Sequence, residues 1–383
     1  MGAACEHARN DVAGNGVVMR ILVFNWKDIE HPAAGGAEVY TAEVARRLVA
    51  AGHAVTIFTS AVEGLPADDD AHGVRVVRRG SRLGVYRAAR AFYRSEGRGN
   101  FDVVIDEVNT RPFGCASWVD DVPVVALIHQ VCREIWFHQL PWPVAIVGRY
   151  ALEPHWLRAY RSVPVLTVSR SSAESLRGYG LRHITIVPEG IENTARPPVA
   201  KEERPTVITV GRLVSSKRPD HVLQAFRLLR QALPQAQLWV VGDGPRARIF
   251  EGEPGVTCFG KVTVRERDEL LARAHAMVVT SVREGWALVV DEAAAMGTPT
   301  IGYRSPGLTD SVPAAGGSLV DAAPAELAAH LTLNLPELVA QGRESSSLRG
   351  WRGGALSWDD VAERVLAALR GVVEPARVAE EVQ

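Results

Sequence analysis

Glu284 and Glu292 stand eight positions apart in the stretch TSVREGWALVVDEAAAMGTP, the first in a loop after a strand-like run and the second inside the helix that follows. Between them Gly285, Trp286, Ala287 and Leu288 supply the free N–H groups of a helix start, which suit a phosphate. Carboxylates on either side accept hydrogen bonds from sugar hydroxyls, and one that accepts two vicinal hydroxyls is suited to ribose. The plain structural alternative is that both glutamates merely complement a helix dipole. A second cluster, VGRLVSSKRPD, sets Arg212 just past a strand and Lys217 five residues on, with Pro219 and Asp220 opening the next helix. Two cations at the carboxyl end of a strand can clamp a diphosphate, each as a charge-assisted donor worth about 1.5–3 kcal/mol. Taken alone, the same residues read equally as a solvated basic loop. The third cluster lies in NWKDIEHPAAGGAEVY, where Gly35, Gly36 and Ala37 precede a helix beginning near Glu38. Glycines there let backbone N–H groups approach an anion, although a glycine-rich turn without a ligand has the same sequence. The loop is too long for a dinucleotide turn, and no strand runs directly into GxGxxG, so a nicotinamide-dependent dehydrogenase is disfavoured.

Elements of two kinds must position these clusters. Short β-branched runs alternate with longer helix-period segments, the pattern of βαβ units and parallel sheets. The first set of strands is expected at Arg20–Asn25, Ala54–Thr59, Asp102–Asp106, Val122–Ile128, Pro164–Val168 and Ile184–Val187. The second is expected at Thr206–Gly211, Gln237–Gly242, Val256–Phe259, Ala276–Thr280 and Thr298–Gly302. Between them Glu192–Thr206 is rich in proline and charge and lacks periodicity, as a linker does. The helix expected over Glu38–Ala51 puts Tyr40, Val44 and Leu48 on one stripe, with Arg46 and Arg47 in its last turn and Gly52 as its stop. Ligands of open α/β sheets bind beyond the carboxyl ends of strands, so two such halves place the site in the cleft between them.

The order GGAE, then VGRLxxxK, then E-x7-E followed by AMGTP resembles the retaining glycosyltransferases of glycosyltransferase family 4, over nearly the whole chain from Met19 to about Arg370. The resemblance implies the α/β GT-B architecture, two Rossmann-like parallel-sheet domains facing across a cleft. Because Met19 opens directly onto the first strand-like run, residues 1–18 read as a disordered leader or as a start codon called too early; the expected division is then an acceptor domain over 19–198, a linker over 199–206, a nucleotide-sugar domain over 207–356, and a C-terminal helix within 357–383 that returns to the first domain. The reaction implied by the resemblance would move a sugar from a nucleoside diphosphate to an acceptor hydroxyl with retention. In that scheme Gly35 and Gly36 approach the donor phosphate or acceptor, Arg212 and Lys217 neutralise the diphosphate, Glu284 holds the donor sugar and Glu292 the ribose. His129, ending the strand VPVVALIHQ, sits where such enzymes often place a histidine against the donor sugar. Two segments depart from the common pattern: EGWA (Glu284–Ala287) stands for EGFG, and Glu189 in PEGI stands where asparagine is usual. A nucleotide-sugar epimerase, a glycan phosphorylase or a non-catalytic scaffold on the same fold are the rivals.

The remaining chemistry-bearing residues are read more plainly. Asp68–Asp70 match a metal-binding DxD pattern but sit in the polar stretch GLPADDDAHG, away from the strand ends that carry the other clusters. The expectation is no metal and no cofactor, with Arg212 and Lys217 in a cation's place. His155, His221 and His275 lack ligand-spaced partners. From Arg75 to Arg98 eight arginines face one acid, Glu96. At about 100° per residue Arg87, Arg90 and Arg94 share an arc opposite Val85, Ala89 and Phe92: an amphipathic helix packed on its own sheet, or a peripheral membrane contact. From Arg133 to Tyr160 the aromatics Trp136, Phe137, Trp142 and Trp156 suit core packing, a sugar face or a lipid interface. Forty-three basic against 44 acidic residues, a net charge of −1, offer no general attraction to nucleic acid. The scattered Cys5, Cys115, Cys132 and Cys258 favour a reducing compartment, and the cytoplasm is the expected location.

Overall fold

The computed structural model describes residues 18–192, 199–344 and 356–381. The expected leader, apart from Val18, and residues 193–198 of the proline-rich stretch lie outside them. The chain builds β1 (Arg20–Phe24), α1 (Gly36–Ala50), β2 (Ala54–Thr59), β3 (Asp68–Ala71), β4 (Val74–Arg78), α2 (Val85–Phe92), β5 (Val103–Glu107) and β6 (Val124–Leu127). It continues through α3 (Ile135–Gln139), α4 (Trp142–Val147), α5 (Glu153–Arg158), β7 (Val165–Thr167), α6 (Arg170–Arg177), β8 (Ile184–Ile186) and β9 (Gly190–Ile191). Strands β1 to β8 form one sheet in the order β3-β4-β2-β1-β5-β6-β7-β8, parallel except for the β3–β4 pair.

The second half comprises β10 (Thr206–Val210), α7 (Pro219–Ala232), β11 (Gln237–Val241), β12 (Val256–Gly260), α8 (Val264–Arg273), β13 (Ala276–Val279), α9 (Leu288–Ala295), β14 (Thr300–Tyr303), α10 (Leu308–Ala314), β15 (Ser318–Val320) and α11 (Pro324–Glu344). Its six parallel strands run β12-β11-β10-β13-β14-β15. That is the doubly wound Rossmann order, with its switch point between β10 and β13. The short β16 (Leu356–Ser357) pairs with β9, and α12 (Trp358–Glu381) follows.

Both faces of the first sheet are covered, which is why its strands read as continuous apolar runs rather than alternations. Ile21 and Val23 face α1 and α12, whereas Leu22 and Phe24 face α2. Val361, Val365, Leu369 and Val373 recur every fourth residue along α12 and are buried in the first domain's core beside Tyr40 and Leu48 of α1. At roughly 1.5–3 kcal/mol for each buried branched side chain, this stripe anchors the C-terminal helix to the domain that begins the chain.

Two local readings are corrected. Asp68–Asp70 are not in a loop: they form edge strand β3, where Asp69 pairs with Arg78 at 2.9 Å and Asp68 with Arg79 at 2.5 Å. The arginine-rich stretch opens with a strand, β4, and Arg78 is buried, held also by Asp28 at 2.6 Å; the helix expected in this stretch covers only Val85–Phe92. On α2 the apolar arc Val85, Ala89 and Phe92 is buried against the protein's own sheet, one of the two expected arrangements, and Arg87 and Arg90, with Arg94 just beyond the helix, are exposed.

Candidate active site

The carboxyl ends of β1, β5 and β6 in one sheet, and of β10 and β13 in the other, carry the residues singled out by their spacing. After β10 the chain turns through Gly211, Arg212 and Leu213. This tight turn needs a glycine in the neighbouring strand end, because a Cβ on Gly242 would lie 2.0 Å from the Gly211 carbonyl oxygen. Leu213 N–H donates to Asp243 C=O at 2.9 Å, fixing the exposed Arg212 at the cleft. Lys217 follows in a short 3₁₀ turn and is ion-paired to Glu284, on the loop after β13. Two of the predicted residues, 67 positions apart, are thus in direct contact.

The opposite lip is built from α1 and the ends of β5 and β6. Glu38 accepts the Gly35 N–H at 2.6 Å, closing the helix start, and pairs with Lys27 at 3.1 Å. Burial pushes the Lys27 ammonium below its ordinary pKa, Glu38 opposes this, and the facing charge of Arg212 pushes it down further. His129 sits between two buried carboxylates, its Nδ1 3.3 Å from Glu189 and its Nε2 3.9 Å from Glu107. Burial alone would lower the imidazole's pKa, but Glu189, Glu107 and Glu38 together outweigh it and hold it above the ordinary value. Burial pushes Glu107 up to about 7 against His129 and the Thr41 hydroxyl, which donates to it at 2.6 Å. The Tyr40 ring meets His129 edge-on at 5.0 Å. Tyr40 Oη, His129 Nε2 and Glu107 Oε1 are buried without a hydrogen-bond partner among the described residues. Such unmet polar atoms are uncommon in native interiors.

The two lips touch. A Cβ on Gly285 would lie 3.0 Å from the His129 carbonyl oxygen, and one on Gly36 would meet Leu288 at 3.5 Å. The helix start of α9, the glycines before α1 and the His129 cluster therefore share one cleft. Further ties hold this closure: Arg283 reaches Glu134 at 2.8 Å and Ser175 at 3.1 Å, and the N-terminus of α6 donates to Asp310 from Arg170 and Ser171 at 3.2 Å.

Two family models tile this architecture, Glycosyltransferase Family 4 over residues 34–195 and Glycosyl transferases group 1 over residues 191–337. The chain belongs to the GT-B glycosyltransferases of family 4. This glycosyltransferase is 28% identical to a glycogen synthase of Mycobacterium tuberculosis, over 93% of this chain and 97% of the relative. It is 26% identical to the GDP-mannose-dependent alpha-(1-6)-phosphatidylinositol monomannoside mannosyltransferase of the same organism, over 89% and 96%. Its fold matches the sucrose-phosphate synthase of Thermosynechococcus elongatus with a TM-score of 0.73 at 21% identity, covering 93% of this chain and 100% of that one. Anabaena HepE, solved in complex with UDP-glucose, gives 0.65 at 17% identity, over 92% and 100%.

Within the glycosyltransferase, the remaining predicted residues take distinct places. Glu292 is paired to Arg267 of α8 at 2.6 Å, and burial holds its carboxyl above the usual range. The side chain of Trp286 is buried in the first domain's core cluster, and its indole N–H donates to Asp291. Burial pushes Asp291 up to about 7. Ala287 caps α9 at φ 82°, the left-handed region where glycine is usual. Lys27, Glu107 and Arg267 were not singled out from the sequence, because each is an isolated polar residue with no partner at motif spacing, and Tyr40 was read only as part of the buried α1 stripe. His221 and His275 are packing residues, accepting or sharing hydrogen bonds with Tyr303 and Thr206. No helix among the described residues is long and apolar enough to cross a membrane.

Proposed function

We propose that the chain transfers a sugar from a nucleoside-diphosphate sugar to an acceptor hydroxyl, with retention at the anomeric carbon and without a metal ion. The observation that carries this reading is the contact between the Gly285 turn and His129, which brings the Lys217–Glu284 pair and the start of α9 against the cluster of unmet polar atoms. Arg212, Lys217 and the α9 N–H groups neutralise the departing diphosphate, as preorganised donors do where charge develops. Lys217 holds Glu284 in place beside the donor sugar. His129, its pKa held above the ordinary value by its carboxylates, and the Tyr40 hydroxyl hydrogen-bond sugar hydroxyls from the other lip. Gly35 and Gly36 leave room for the donor phosphate or acceptor, and Glu292 faces the ribose. The acceptor hydroxyl then attacks on the face from which the diphosphate leaves, and positioning supplies much of the rate. The closure seen here excludes water that would otherwise compete as acceptor.

Calorimetric titration with a panel of nucleoside diphosphates tests the donor, and the anomeric configuration of the product, read by NMR, tests retention. Saturable binding of one diphosphate, lost in Arg212→Ala, is the expected result. Absence of binding to any of them, or an inverted product, overturns the reading. Support for a nucleotide donor also comes from the relatives, one named for GDP-mannose and one solved with UDP-glucose. The acceptor class, whether glycan, lipid-linked or small molecule, is left to an acceptor screen.

A further inference from the structure

We propose that the surface formed by α4 and the π-helical turn Gly148–Leu152 docks on a membrane carrying anionic headgroups. The proposal goes beyond the transfer reaction and does not depend on its donor. Of fourteen large hydrophobic side chains exposed among the described residues, seven fall between Phe137 and Leu152. Scattered single exposures are normal, whereas a contiguous cluster marks an interaction surface. Trp142 is 70% exposed and Tyr150 67%, with Val144 and Val147 each at 51%. Val144, Val147 and Tyr150 follow one another at about one helical turn and form one outward stripe, with Trp142 exposed at its start.

The inward side of the same segment is already used. Ala145 is fully buried among Ile135 and Trp136, and the Trp136 ring occupies the space a side chain on Gly148 would need. The segment is therefore seated firmly in its own domain, and its outer stripe has no partner within the described residues.

Charge decides the occupant. Between Glu134 and Glu174 the only acid is Glu153. It is buried and accepts hydrogen bonds from the Arg133 N–H and the Tyr179 hydroxyl at 3.1 Å. The same interval carries Arg149, Arg158, Arg161 and Arg170, with His138 and His155. Apolar side chains with Trp and Tyr, bordered by cations and with the flanking Glu134 neutralised by Arg283 at 2.8 Å, have the composition of a surface that enters the headgroup region of an anionic bilayer. A two-fold dimer through this patch would set these cations against their own copies. The outward arginines of α2 add to the same side of the molecule, since α2 and α5 cover the same face of the first sheet.

Co-sedimentation with unilamellar vesicles tests the proposal. The wild-type chain should sediment with phosphatidylcholine vesicles containing about 30% phosphatidylglycerol, and on the order of 10-fold less with phosphatidylcholine alone. The Trp142→Ser/Tyr150→Ser variant should lose about 10-fold in partition to the anionic vesicles while keeping the wild-type circular dichroism spectrum and melting temperature. If that variant does not fold, Val144→Ser/Val147→Ser serves in its place. No sedimentation of the wild type, or equal sedimentation of the variants, overturns the proposal. So does a concentration-dependent dimer that the variants abolish, which assigns the patch to a second copy.

Discussion

Nδ1 of His129 lies 3.3 Å from Oε1 of Glu189, the residue that stands where the family usually has asparagine. A neutral amide there can hydrogen-bond the imidazole; a carboxylate can also hold it charged. The folded-state pKa of His129 is raised. Its ion pairing is therefore fully present below the unfolded value and is lost as pH rises through the raised value. Glu189→Gln should move the His129 titration to lower pH, with the alkaline loss of sugar transfer moving down alongside it. Histidine ring NMR signals followed against pH check this, and an unmoved titration means that Glu107 and Glu38 suffice.

Replacing Arg212 or Lys217 by Ala should weaken nucleoside-diphosphate binding and cut turnover on the order of 10²-fold or more, the cost of removing a donor aimed at developing charge. Folding should survive, since Arg212 is exposed and Lys217 part-exposed. Near-wild-type kinetics in both variants would place the diphosphate elsewhere.

Glu292 bears on the ribose. Its carboxylate keeps one oxygen on Arg267, leaving the other for the ligand. Removing the hydroxyl partners of a charged, mostly buried group costs about 1–3 kcal/mol, so a 2′-deoxynucleotide donor should bind roughly 5- to 100-fold more weakly. Glu292→Gln should discriminate less between the two donors, whereas Glu284→Gln should keep the discrimination and lose transfer. The four affinities form a double-mutant cycle, and full ribose preference in Glu292→Gln would exchange the two roles.

Excess EDTA should leave activity unchanged, and Asp69→Ala should lose a little stability through its half-open ion pair with Arg78 but no catalysis. Activity lost to EDTA and restored by Mn²⁺ or Mg²⁺ would refute metal independence.

Asp291 supplies a stability test. Its pKa is about 7 in the folded chain and near 4 when unfolded. The folded state thus binds more protons between those values, and stability falls as pH rises from about 4 to about 7. Asp291→Asn keeps an acceptor for the Trp286 indole and abolishes the charge. Its melting temperature should exceed that of the wild type at pH 8, by an amount equivalent to a few kcal/mol at most, and the gap should close by pH 4. Parallel melting curves across that range would mean the carboxylate is paired differently.

Periodicity in the sequence was enough to determine the two sets of parallel strands, the α1 stripe of Tyr40, Val44 and Leu48, and the placing of Arg212, Lys217 and Glu284 at strand ends. Those features are local: each residue's burial, and each glycine before a helix, leaves its mark within a few positions. Only the tertiary structure decided which charges meet. Lys27 faces Arg212, His129 meets Glu189 across 60 positions, and Glu292 meets Arg267 of the preceding helix, because strand order and the closure of one sheet on the other set those neighbours. The same holds for residues misjudged from local pattern. Asp68–Asp70 became an edge strand because the antiparallel pairing with β4 lines them up with Arg78 and Arg79, and the Trp286 ring, for which the sequence offered no packing partner, is taken up by the first domain's core.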